Sequence, residues 1–397
     1  MKFLFISENY FPNVSGVPVV VKYLAERLVE MKYDVGVLTR NVEGTSSEEI
    51  LNGVTIYRKN VYYDILKNYK GDKERFVEFI RFYNADINIF EGGSVITTDI
   101  VLPYLKSIDG IKILHSHGFS RLLLKPFEKM STLKNTLGNT YNFFRWKNYF
   151  RNFLPQYIND FDIVFCLSEI DSSYDYLTKI YNKNVNIIGN SADDMFFSKC
   201  DSNLIDKYVK LKNPSYFLSV ANYAAVKNQI GIMEQYFKSG ILDHDIVFIG
   251  RDKNYYYDAL VKQFNIFQEK YGKRNVHFLL NVDRNDIPSI VEGAKLYLVG
   301  STAEGYSISI IESMSKGVPF ISTNVGNASL LPGGIVIDNI QDMHKKIAEL
   351  LSDKDLYDKL SENGKNYAYT ECRIQSSTNK LLKLIAESKE GVKNDIC

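Results

Sequence analysis

The feature that most constrains this chain is a rhythm, in which short β-branched or aromatic runs alternate with amphipathic stretches, stop, and begin again. The runs at 2–7, 34–39, 54–58, 87–90, 111–116, 162–168 and 185–189 read as strands, and the stretch after the first carries Val20, Tyr23, Leu24, Leu28 and Met31 on one helical face. A polar, weakly patterned segment at 190–203 breaks the alternation, which resumes with strands at 215–220, 244–250, 275–280, 295–300, 319–323 and 334–338. Alternating strands and helices build parallel sheets, because a parallel neighbour needs a crossover. The expectation is an α/β chain of two Rossmann-like lobes, 1–197 and 198–370, whose parallel sheets face an inter-lobe cleft. A helical tail, 371–397, packs on either lobe, the N-terminal one being one choice. In open parallel sheets ligands bind beyond the carboxyl ends of the strands, so the loops there are where chemistry is expected.

Composition excludes more than it selects. A formal charge of +1 over 397 residues offers no global attraction to nucleic acid, so none is expected as a partner. Cys166, Cys200, Cys372 and Cys397 are far apart and lack metal-ligand spacing, which reads as spare thiols in a reducing compartment without a zinc site. The apolar start meets Ser7 and Glu8 too soon for a secretory leader, and no run of about 18 apolar residues exists. A cytoplasmic protein without a membrane span is expected.

Three loops stand out. The first, after strand 2–7, ends in Ser15-Gly16 just before a helix, where exposed amides and the helix dipole favour a phosphate or carboxylate. It lacks GxGxxG, and the alternative, which this loop alone favours, is a glycine needed only for the turn. The second, ILHSHGF at 113–119, places His115 and His117 on one face of a strand end. With no cysteine or carboxylate nearby in sequence, a metal site is not expected. Hydrogen bonding to a sugar hydroxyl or proton transfer is one reading, a hydrogen-bonded core or rim histidine the other. The third is STAEGYSISIIESMSKGVPF, 301–320, with Glu304 on a loop and Glu312 inside a helix of about three turns closed by Gly317. The loop lets Glu304 fold back toward the helix start, so that both carboxylates face one ligand. The amides of 305–308 would then cradle a diphosphate, with Gly305 allowing close approach. Carboxylates suit the hydroxyls on either side of such a group. The alternative is a capped surface helix with two solvated glutamates.

Taken together, the E-x7-E region Glu304–Glu312, YFPNVSGVPVVVKYLAERL, HSHG, VFCLSE, IIGNSADDMFF, VANYAAVKNQ, FIGRD and KGVPFIST with VGN resemble the retaining GT-B glycosyltransferases of the glycosyl transferases group 1 class, also called family 4. The resemblance covers nearly the whole chain. It implies a metal-independent, retaining hexosyl- or N-acetylhexosaminyltransferase with no cofactor beyond a nucleotide-sugar co-substrate, a UDP-sugar first of all. Glu304 would bond donor-sugar hydroxyls and Glu312 the ribose. The amides of Gly305, Tyr306, Ser307 and Ile308 would hold the diphosphate, Lys227 would pair with its phosphates, Gly16 would lie under it, and His117 would meet the sugar near its reacting carbon. Two departures matter. The family's arginine in Gly-Arg-x4-Lys is Asn222 here, leaving Arg251 as a stand-in by sequence position, and Ser191 replaces the glycine after Asn190.

Between HSHG and the strand at 162, residues 118–155 carry Arg121, Lys125, Lys129, Lys134, Arg145, Lys147 and Arg151 against Glu128 alone, with interleaved aromatics that include the sole tryptophan, Trp146. This pattern fits either an anionic membrane surface presenting a lipid-linked acceptor or helices that bury aromatics and wet their lysines. The sequence therefore points to a glycosyltransferase of polysaccharide biosynthesis, cytoplasmic and peripheral at the inner face of the plasma membrane. Its acceptor would be a glycan, a lipid-linked or a protein-linked hydroxyl. The competing readings are an inactive nucleotide-sugar-binding partner subunit and a GT-B sugar-nucleotide epimerase.

Overall fold

The computed structural model describes residues 1–13, 16–64, 68–126, 133–200 and 203–394, and the side chains of 133–136 and 391–394 are left aside. The chain forms two compact units, Met1–Asn190 together with the chain from Ile374 on, and Ser191–Arg373.

The first unit is built on an eight-stranded sheet. Across it run Val185–Ile187, Ile163–Cys166, Ile111–His115, Ile87–Glu91, Lys2–Ser7, Asp34–Arg40, Val54–Lys59 and Glu48–Leu51. Every pairing is parallel except the last, where Glu48–Leu51 turns back on Val54–Lys59 through Asn52-Gly53, both at positive φ. The central strands are buried on both faces, Phe3 to Ile6 completely, as parallel sheets covered by helices require. Helix Val17–Glu30 buries Pro18, Val20, Val21, Leu24, Ala25 and Leu28. Tyr23 and Met31, expected on that face, stay half-buried, because the stripe centres on the smaller residues nearest the sheet. Helix Ile374–Asn394 packs on Val17–Glu30 and buries Ile374, Leu381 and Ile385.

The second unit holds six parallel strands in the order Val276–Leu280, His244–Gly250, Ser215–Val220, Leu296–Val299, Phe320–Thr323 and Gly334–Ile337. Helix Lys354–Glu371 lies against Ile308–Ser315. The approach is close because Gly364 faces Gly333 and Met314, where a Cβ would come within 2.8 Å of the Gly333 Cα.

Candidate active site

In the second unit the sheet explains which residues meet. Ser215–Val220 and Leu296–Val299 are parallel neighbours, with Phe217 opposite Leu296 and Leu218 opposite Tyr297, so the segments that follow them leave the same edge. Lys227 and Glu304, 77 positions apart, are thereby joined: the Lys227 ammonium donates to Glu304 Oε1, and Ser301 Oγ donates to the same oxygen at 2.7 Å. The Thr302 amide donates to the Val226 carbonyl at 2.8 Å and ties the two loops together. From the other side Gly326, at φ 53°, packs so closely that a Cβ would stand 3.2 Å from Glu304 Cβ and from the Gly305 carbonyl oxygen. Gly305 itself is exposed, and a Cβ there would meet nothing within 4 Å. The space in front of the loop is open to a ligand.

The helix after this loop is Ile308–Ser315, shorter than expected, and Gly317 at φ 71° ends it. Of the four amides foreseen for a diphosphate, that of buried Ser307 is taken: it donates to Asn327 Oδ1 at 2.8 Å. Among the described residues Asn327 Nδ2 is buried with no hydrogen-bond partner. Tyr306 is half-buried against the unit's core and Ile308 half-buried at the helix start. Glu312 is not solvated, being 6% exposed. Burial raises its carboxyl above the usual range, and the Arg284 guanidinium, which donates to Oε1, works against that rise. Sequence reasoning had no place for Arg284, which precedes the short helix Ile287–Glu292 and also lies over the Phe196 ring at 4.9 Å. Arg251 is 65% exposed and, among the described residues, pairs only with Asp252, at 3.9 Å, while Asn222 is exposed and its carbonyl accepts from Gln229.

In the first unit Gly16, at φ 67°, caps helix Val17–Glu30, a backbone that favours glycine; its neighbour Ser15 lies outside the described residues. His115 ends a strand whose parallel register sets it opposite Glu91, and this pairing supplies the carboxylate that sequence proximity did not. Glu91 Oε2 accepts from His117 Nε2 at 2.5 Å and lies 2.9 Å from His115 Nδ1. Burial alone would raise the Glu91 carboxyl, but the charge and hydrogen bonding of the two histidines bring it down to about 2. Burial and the neighbouring His117 push His115 down to about 4.

A second buried carboxylate lies nearby in sequence. Asp99, 2% exposed, accepts from the hydroxyls of Tyr149 at 2.5 Å and of Tyr69. Burial pushes it up to about 7 against those hydrogen bonds and the charge of Arg121. Arg121 also stacks on Trp146 at 3.9 Å, with Arg145 at 4.8 Å. Trp146, Tyr149 and Phe150 are buried, which removes the tryptophan from the surface role foreseen for it. Lys125, Lys147 and Arg151 are exposed, and Lys129 lies outside the described residues. Leu137, Tyr141 and Phe144, spaced along one face of helix Leu133–Asn148, are exposed as well.

Two Rossmann-like units, each a parallel sheet flanked by helices, define the GT-B fold. The solved structures agree: sucrose-phosphate synthase from Thermosynechococcus elongatus matches with a TM-score of 0.71 at 13% identity, over 98% of this chain and 99% of that one. The Anabaena protein Alr3699/HepE in complex with UDP-glucose matches with a TM-score of 0.65 at 13% identity, over 98% and 100%. An uncharacterized glycosyltransferase of Methanocaldococcus jannaschii is 22% identical over 373 residues, covering 90% of this chain and 91% of its own. Residues 201–367 match the family model Glycosyl transferases group 1, and this part of the chain is a domain of that family. Among the described residues no helix is long and apolar enough to cross a membrane.

Proposed function

We propose that this protein is a retaining glycosyltransferase that moves a hexosyl or N-acetylhexosaminyl group from a nucleotide sugar to a hydroxyl of a glycan, lipid-linked or protein-linked acceptor. The observation that carries the reading is the Lys227–Glu304 pair on the open loop ahead of helix Ile308–Ser315. Each partner holds the other in place, and each has a separate task once donor arrives. Glu304 accepts from sugar hydroxyls. Lys227 follows the β-phosphate as negative charge grows on the leaving nucleotide, together with the amides of the first helical turn. The acceptor hydroxyl enters on the face the phosphate leaves and passes its proton to that phosphate, so configuration is retained. Glu312, kept in place by Arg284, is the acceptor for ribose hydroxyls. The UDP-glucose held by the Anabaena protein makes UDP-sugars the first donors to try.

One observation favours a second reading. Asn222 stands at the position where the resemblance places an arginine, and among the described residues Arg251 pairs only with Asp252, at 3.9 Å, which suits a subunit that binds nucleotide sugar without turning it over. Thermal shift with UDP-, GDP- and ADP-sugars, followed by nucleoside diphosphate release from the stabilising donor, separates the two. Transfer by the wild type, insensitive to EDTA and lost in Glu304→Ala, is expected. Tight binding by the wild type without release favours the subunit, and no binding of any nucleotide sugar refutes both.

A further inference from the structure

Wholly within the second unit, the loop that carries Glu304 is fastened at its two ends. At its start the Ser301 carbonyl accepts from Thr323 Oγ1 at 2.6 Å, and the Thr302 amide is held by Val226. At its far end the Ser307 amide donates to Asn327 Oδ1 at 2.8 Å, across 20 positions. Between these fastenings residues 303–306 make no backbone–backbone hydrogen bond among the described residues. Asn327, 1% exposed, starts the short helix Ala328–Leu330, a place from which an asparagine ordinarily bonds the amides of its own helix, yet it makes no such bond. Its oxygen goes to Ser307 instead, and its nitrogen is buried with no partner among the described residues, an arrangement that costs stability.

We propose that Asn327 is a positioning residue for the loop 304–307: by holding the Ser307 amide, its Oδ1 keeps the loop in one shape, with Glu304 against Lys227, before a nucleotide sugar arrives. The inference rests on the donor-binding reading of this loop and adds the residue that shapes it. A loop without backbone hydrogen bonds of its own samples several conformations, and its apparent affinity for a ligand falls by the fraction of time it spends in the competent one. The neighbours explain why the holding group is an amide. A carboxylate at this position would accept from Ser307 equally well, but adjacent Gly326, at φ 53°, brings the turn against Glu304 Cβ. A second buried negative charge beside the Glu304 carboxylate is disfavoured by repulsion and by desolvation. Asparagine accepts without charge, and the unmet Nδ2 is the consequence.

The test uses the full chain and reads amide hydrogen exchange by mass spectrometry, on overlapping peptides that isolate position 307. The Ser307 amide is expected to be protected in the wild type and to exchange about 10-fold faster or more in Asn327→Leu, which keeps the volume and removes the acceptor. It should stay near the wild-type rate in Asn327→Asp, which keeps an acceptor. Peptides over strand Ser215–Val220 should exchange alike in all three proteins, which separates a loosened loop from a loosened unit. Calorimetry with whichever of UDP-, GDP- and ADP-glucose stabilises the wild type should show binding about 10-fold weaker in Asn327→Leu, and in turnover the donor KM should rise by that factor with kcat within about 3-fold. A wild-type Ser307 amide that exchanges as fast as in an unstructured peptide overturns the proposal whether or not the variants fold. So does an Asn327→Leu protein with fast exchange and unchanged affinity, or an Asn327→Asp protein that exchanges as fast as Asn327→Leu. A wild type whose Ser307 amide is protected but which binds none of the three nucleotide sugars refutes the glycosyltransferase reading instead, so the two failures are read separately.

Discussion

Replacing Asp99 by asparagine should make the first unit more stable, by an amount that grows with pH. Asp99 is buried and its carboxyl is pushed from 3.8 to about 7, so over that interval the folded state holds a proton the unfolded chain has released. Folding stability therefore falls as pH rises from about 4 to about 7 and is flat beyond. A rise of about 3 units at about 1.4 kcal/mol each makes the full penalty about 4 kcal/mol above pH 8. Asparagine carries no charge and escapes it. Tyr149 and Tyr69 donate to different oxygens of Asp99, however, and the amide puts an NH2 group in place of one of them, so the lost acceptor returns about 1 kcal/mol. The variant should gain about 3 kcal/mol at pH 8.5, and the gain should shrink to nothing or reverse slightly near pH 4. Urea unfolding followed by tryptophan fluorescence measures this without ambiguity of location, since Trp146 is the sole tryptophan and its ring lies 5.3 Å from that of Tyr149. Comparing variant with wild type at each pH cancels the titration of every other group. A difference that stays constant from pH 4 to 8.5 would refute the burial argument.

Further outcomes follow from the second unit and from helix Leu133–Asn148. Arg284→Met strands the buried Glu312 charge; because the guanidinium is 47% exposed, the cost should be about 1–2 kcal/mol in urea unfolding, with weaker nucleotide binding by calorimetry. Gly326→Ala, at a positive φ and against Glu304, should cost about 1–2 kcal/mol and raise donor KM more than acceptor KM in transfer kinetics. If the exposed row Leu137, Tyr141 and Phe144 meets lipid beside Lys147, co-sedimentation with anionic vesicles should exceed that with neutral ones, weaken at high salt and drop in the triple serine variant. Equal sedimentation with both vesicle types would leave Lys147 a solvated side chain with no lipid role.

The elements most legible in the sequence were those whose side chains are buried on every side. Lys2–Ser7, Ser215–Val220 and His244–Gly250 coincide with the runs read from apolarity, because a strand inside a covered parallel sheet has no polar alternation to blur its ends. Val54–Lys59 was read as a strand, but its hairpin partner Glu48–Leu51 escaped for the opposite reason: this outer strand carries two glutamates on the sheet edge, and only Asn52-Gly53 signals the turn. The loop carrying Glu304 was legible, since a helix start after a strand has a sequence signature. What was not legible was anything fixed by register. Glu91 reaches His117 across 26 positions because two parallel strands align, and Arg284 reaches Glu312 across 28 through packing. Ser307, offered as a free amide, is held by Asn327, whose place in VGN had no assigned task.

Helix Ile374–Asn394 covers Val17–Glu30 although the whole of the second unit is made between them. On the ribosome the leading sheet must wait, with part of its apolar surface bare, until Ile374–Asn394 emerges. Translation that stops near residue 373 would release a product whose trailing unit is intact and whose leading unit has an uncovered helix, a natural client for chaperones and proteases.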